Sequence, residues 1–135
     1  MQDYGNKEKF SIELAREELA TNTKKYWDTV VLQEIDRYAK DHKLNQEQIE
    51  ELTKRKMIET LYLDLDAKNQ YMARTNDEFA VRAIRRNKEK MYELNSIYKQ
   101  FDEKTKQRGQ EVGERIETRL SEQQNKKTNN TKKAA

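Results

Sequence analysis

The chain of 135 residues has no cysteine and no proline, and only three glycines. Without cysteine there are no disulfides, no thiol chemistry and no cysteine-built zinc site. With Gly5, Gly109 and Gly113 as the glycines, no strong chain-breaker falls between Tyr26 and Phe101. Long apolar runs are missing as well. None approaches the roughly 20 residues needed to cross a bilayer, and the opening MQDYGNKEKF carries no hydrophobic signal segment. The expectation is a cytoplasmic protein without membrane contact. Apolar residues make up 33% of the chain and charged residues 39%, against roughly 45–50% and 25% in ordinary globular domains. This balance disfavours a thick core and suits long helices with narrow apolar stripes. It also marks disorder, but the net charge is only +3 and the apolar residues recur at helical spacing.

Read along the chain, residues 1–10 form a flexible leader. Ser11 can cap a helix starting at Ile12, whose stripe runs through Ala15, Leu19, Thr23, Trp27, Val31, Ile35 and Tyr38 in steps of three and four. Thr21-Asn22-Thr23 weakens this helix locally. Leu44-Asn45-Gln46-Glu47-Gln48-Ile49 reads as a helix start, with Asn45 and Gln48 as a capping box and Leu44 and Ile49 as a hydrophobic staple. The second helix carries Ile49, Leu52, Ile58, Leu61, Tyr62 and Leu65 to about Lys68, although residues 61–66 partly alternate as a strand would. The short connection predicts a hairpin between the two helices. After a turn over 68–75, Thr75 and Glu78 form a second capping box for a long third helix bearing Ala80, Ile84, Met91, Leu94, Tyr98 and Phe101. Asn87 interrupts that stripe, either fixing register in a seam or, more plainly, lying solvated at its edge. The fold class is all-α, with a helical domain over 11–108. Val112, Ile116 and Leu120 mark a weak fourth helix over 109–124 that orders on binding a partner, and 125–135 is a disordered, lysine-rich tail.

That tail holds Lys126, Lys127, Lys132 and Lys133 and no acid, so the net +3 leaves the rest of the chain at −1. Its lysines can hold phosphates without reading sequence, or serve only solubility. The cluster that stands out is Arg82, Arg85, Arg86, Lys88 and Lys90 on the third helix. Arg82 and Arg86 point away from the Ile84–Met91 stripe, and a helix could lay that face along a phosphate backbone. The plainer reading is a solvated face, partly compensated by Glu89 and Glu93. Lys54-Arg55-Lys56 is a smaller basic patch with Glu50, Glu51 and Glu59 nearby.

The chemistry of catalysis is thin. His42 is the one histidine and has no carboxylate at i±4. Asp64-Leu65-Asp66-Ala67-Lys68 opens like a calcium loop but has lysine at the fifth position and Thr75 where the bidentate glutamate belongs. No glycine loop cradles phosphates. The expectation is a binding protein without catalytic residues, metal, cofactor or small-molecule substrate.

The segment from Tyr26 to Phe101 resembles phage terminase small subunits of the short helical type. The resemblance rests on Tyr26-Trp27-Asp28 leading the first helix and on the helical hairpin. It rests also on Asn76 ahead of Ala80-Val81-Arg82-Ala83-Ile84-Arg85-Arg86-Asn87, and on the stripe of Leu94, Ile97 and Tyr98. The family often carries Asn-Pro before such a helix, whereas Asn76 here precedes Asp77, and an N-terminal helix-turn-helix is missing. The resemblance implies a non-enzymatic homo-oligomer that recognises viral DNA and delivers it to a large, ATP-driven subunit. Arg82, Arg85, Arg86, Lys88 and Lys90 are then the DNA contacts. Ile84, Met91, Leu94, Tyr98 and Phe101 are the oligomer seam, and Val112, Ile116 and Leu120 dock the large subunit. The alternative is a helical adaptor, inhibitor or scaffold that binds only protein.

Overall fold

The structure, a computed structural model, describes the backbone of residues 6–75 and 77–134, and side chains as far as Asn125. Every regular element among the described residues is helical: α1 (Ile12–Glu18), α2 (Thr21–Tyr26), a π-helical turn (Trp27–Val31), α3 (Leu32–Asp41), α4 (Gln46–Met72), α5 (Glu78–Tyr98) and α6 (Glu103–Ala134). The lysine-rich tail expected to be disordered falls largely on residues whose side chains are not described.

Local signals set the helix starts. The Ser11 hydroxyl accepts from the Leu14 amide at 3.2 Å. Asn45 and Gln48 form the full capping box, each side chain accepting from the other's amide at 2.8 and 2.9 Å. Leu19 and Ala20 are extended and break the first helix just before the Thr-Asn-Thr run. Tertiary polar contacts close that break. The buried Asp64 carboxylate accepts from the Thr23 hydroxyl (2.7 Å) and the Ala20 amide (3.3 Å), while Lys68 bridges Asp64 (2.9 Å) and the Glu18 carbonyl (3.0 Å). The half-failed calcium loop therefore supplies a remote cap for α2. The π turn continues α2 into α3 without a break and turns both Trp27 and Val31 into the core, where Trp27 is among the most completely buried side chains.

α4 is the central element. α1 and α3 pack on one side, α5 on another and α6 on a third, so α4 is buried on most of its circumference. Lys54, Arg55 and Lys56 show this most clearly. Successive residues sweep about 100° each, yet all three are buried. Lys54 reaches the Lys7 carbonyl at 3.0 Å, Arg55 stacks on the Tyr98 ring with its guanidinium carbon 3.8 Å from the centroid, and Lys56 pairs with Glu59 at 2.7 Å and reaches the Gly109 carbonyl at 3.3 Å. What the sequence presents as a basic surface patch is an inter-helix layer.

The chain's two ends are packed more closely than their composition suggests. Residues 6–10 are not a free leader: Phe10 joins the core, the Lys7 amide donates to Gln100 and Lys7 bridges Glu51; the earlier residues lie outside the described ones. Residues 109–124 are helical and packed in the structure. They belong to α6, whose Val112 and Ile116 are buried against the body, Val112 at 0% exposure. The expectation rested on three apolar residues, Val112, Ile116 and Leu120. Close approach at Gly109 and polar ties complete the interface.

The two helical glycines differ physically. A Cβ at Gly109 would stand 3.3 Å from Arg55 Cδ and Nε, whereas one at Gly113 would meet only the flexible tip of Lys56 at 3.7 Å. Gly113→Ala is therefore expected to stabilise the protein by about 0.5–1 kcal/mol, through helix propensity and a less flexible unfolded chain. A urea midpoint lower than that of the parent would refute this.

Candidate nucleic-acid interface

α4 and α5 run antiparallel as a hairpin. Beyond the Asn69–Asn87 pair, where the Asn87 amide donates to the Asn69 oxygen at 3.0 Å, Ala80 is the one buried residue among those described. The hairpin end is thus only two helices thick. Asn87 is not a solvated edge residue. It and the buried Asn69, which also donates to the Met91 sulfur at 3.6 Å, form a polar lock between the helices.

The start of α5 differs from expectation. Asp77, not Thr75, is the cap, its carboxylate accepting from the Phe79 amide at 3.1 Å, and the Thr75 hydroxyl donates backwards to the Met72 carbonyl. Helical phase then fixes the outward face. Ala80, Ile84, Asn87, Met91 and Leu94 face α4, which forces Arg82, Arg85, Arg86 and Lys88 outward. All four are exposed, and among the described residues none of their side chains forms an ion pair or hydrogen bond. Phe79 to Lys88 holds these four cations and no acid. The positive end of the α5 dipole adds to the local field. Lys90, the fifth expected contact, belongs elsewhere, since it bridges Glu18 at 2.6 Å and ties α5 to α1.

The sequence reading missed the aromatic residues of this surface. Phe79 is 78% exposed and Tyr92 80%, and Tyr71, at the other side of the hairpin end, is also exposed. The period that places the cations outward also places Phe79 and Tyr92 off the buried stripe, so the signal was available.

The expected oligomer seam lies largely inside the chain. Leu94 and Phe101 are buried in its own core, while Met91 and Tyr98 are half-buried against it; Ile84 is half-buried on α5. Burial, and then the Glu59 carboxylate that accepts its hydroxyl proton, push Tyr98 up to about 12. The seam was an implication of the family resemblance. α4 at the centre and α6 across it provide the cover. Of the expected docking residues Val112, Ile116 and Leu120, only Leu120 is exposed.

A second concavity, about 680 Å³, lies between α3 and α6. Most of its cations are paired. Arg119 donates to the buried Glu34 (3.3 Å) and the Thr29 carbonyl (3.1 Å), Arg115 pairs with Asp41 (2.8 Å), and the Tyr38 hydroxyl donates to Glu111. Burial and the Glu111 contact push Tyr38 up to about 12. His42 stacks on Tyr38 and sits 3.0 Å from its carbonyl. This is a structural seam that holds α6 in place. Among the described residues no cluster of three His, Cys, Asp or Glu could hold a metal ion, and no helix is long and apolar enough to cross a membrane. Compared with protein-family models, curated proteins and solved structures, the chain matches none.

Proposed function

We propose that the chain is a non-enzymatic nucleic-acid-binding accessory protein that docks through the outward face of α5. The observation that carries this reading is the run from Phe79 to Lys88, with four exposed cations, no acid and no ion pair on those cations. Several other basic side chains are engaged, Lys54, Arg55 and Lys56 inside the fold, Lys90 to α1, Arg115 and Arg119 to α3, while Lys40, Lys43, Lys104 and Lys106 form no ion pair among the described residues but have Asp41, Asp102 and Glu103 near them in the sequence. An exposed cationic face on a thin hairpin end suits contact with a phosphate backbone, which supplies affinity without sequence reading.

The test is binding to labelled DNA as a function of salt. Four phosphate contacts give a slope of log affinity on log salt of about −3, or roughly 60-fold weaker binding between 50 and 200 mM salt. A slope near zero, or no binding at low salt, would refute the proposal.

A packaging adaptor of the terminase small-subunit kind is the narrower form of this reading. It adds a large protein partner, for which Leu120 is the exposed remnant of the expected docking stripe. A protein-only adaptor is favoured by a different feature, the groove between α4 and α5 lined by Ile58, Tyr62, Leu63 and Tyr98, where Tyr62 and Leu63 are exposed. That reading gives complexes insensitive to salt and to the α5 cations.

A further inference from the structure

The outer side of α5 is not uniformly charged. At 100° per residue, Val81, Arg85, Lys88 and Tyr92 fall within one 60° arc. Together with Ile84 and Glu89 they line a shallow groove of about 480 Å³ along the helix. Its floor is aliphatic, its flank carries two unpaired cations, and its far wall is the Tyr92 ring, 80% exposed. Among the described residues the Tyr92 side chain makes no hydrogen bond and no ring contact.

Resting on the reading of this face as a nucleic-acid surface, we infer that the groove takes a single strand rather than a duplex. One base stacks on Tyr92 while the adjoining phosphates sit on Arg85 and Lys88. The two cations call for a polyanion. The aromatic wall distinguishes among polyanions, because an exposed tyrosine stacks on any base whose π-face is free, and in a duplex those faces are covered by neighbouring bases. Glu89, one helical turn past Arg85, lies on the same flank and partly offsets its charge, so a phosphate is held on the side of Arg85 and Lys88 away from that carboxylate. A purely phosphate-binding face has no use for an exposed aromatic ring one turn past the cations.

The experiment uses the full chain and fluorescence anisotropy with three probes. These are a mixed-sequence DNA strand of about twelve nucleotides, its duplex, and the same strand with abasic sites in place of most bases. The intact strand is expected to bind about 10-fold more tightly than either of the others, the scale of one stacked base. Tyr92→Leu should remove that advantage and leave duplex affinity unchanged, and Tyr92→Phe should retain it. Since the side chain is exposed, both variants keep the fold, which circular dichroism checks. Equal affinity for all three probes, unaffected by Tyr92→Leu, overturns the stacking site while leaving phosphate binding in place. Failure of every probe to bind overturns both readings. A polyglutamate peptide that competes as well as the intact strand also overturns the inference, because negative charge alone would then suffice.

Discussion

Replacing Arg55 with alanine is expected to cost about 2–4 kcal/mol of stability, whereas Arg55→Met should cost less than about 1 kcal/mol or even stabilise. The side chain is 5% exposed at the junction of α4, α6 and the end of α5. Its polar partners are poor: a 3.4 Å contact to the Tyr98 carbonyl, Glu59 at 4.0 Å, and no hydrogen-bond partner for Nε. A buried guanidinium with so few compensating bonds gains little from its charge. The stem and planar head contribute through packing, filling the space that Gly109 leaves open and placing the guanidinium carbon 3.8 Å from the Tyr98 ring centroid. Alanine empties that space, while methionine refills most of it without the desolvation penalty. Glu59 is not orphaned in either variant, since Lys56 and the Tyr98 hydroxyl still engage it. Urea unfolding with an unchanged slope reports the difference directly. If methionine proves as costly as alanine, the charge itself holds the helices together and the packing explanation is wrong.

Reversing the four outward cations together, Arg82→Glu, Arg85→Glu, Arg86→Glu and Lys88→Glu, is expected to weaken DNA binding at least about 100-fold at low salt. It should also flatten the salt slope to whatever the lysines past residue 125 contribute. The cause is Coulombic. Each cation that neutralises a phosphate releases a condensed counterion, and reversal replaces attraction with repulsion at the same place. Stability should change little, because these side chains are exposed and hold no partner among the described residues, and surface substitutions of that kind fall within about 0.5 kcal/mol. Lys90→Glu is the contrasting control. It puts two acids together where Lys90 now bridges Glu18 at 2.6 Å, so its effect should fall on the α1–α5 contact rather than on DNA. If the fourfold variant binds as well as the parent, the tail or another surface is responsible.

How far the sequence foretells this molecule depends on how local each determinant is. The Ser11 cap and the Asn45–Gln48 box involve residues three apart, and both form as read. The inward stripe from Ala15 to Tyr38 is buried except at Thr23, although it runs through the break at Leu19 and Ala20 and the π turn. Thr75 and Asp77 are two competent caps two residues apart, and propensity cannot rank them. Distant contacts were illegible. Lys54-Arg55-Lys56 looks like surface until Tyr98, α6 and residue 7 close over it. Asn87 looks solvated until Asn69, 18 residues away, meets it. α6 looks weak because Gly109 and Gly113 lower its helix propensity, yet Gly109 is what lets it approach α4. The candidate site was legible for Arg82 and Arg86, whose outward direction follows from the Ile84–Met91 stripe. Phe79 and Tyr92 were equally legible by phase but were passed over in favour of charge. Lys90 was misassigned because its partner lies 72 positions earlier.

The most direct test of the binding face is amide chemical-shift mapping of the full-length protein during titration with the single strand. The expected result is a contiguous set of shifts on α5 from Phe79 to Tyr92, joined by Tyr71 and Arg74 at the hairpin end, with α3 and the first half of α6 unmoved. Shifts confined to residues past 125 or to the α3–α6 groove, with α5 silent, would contradict it.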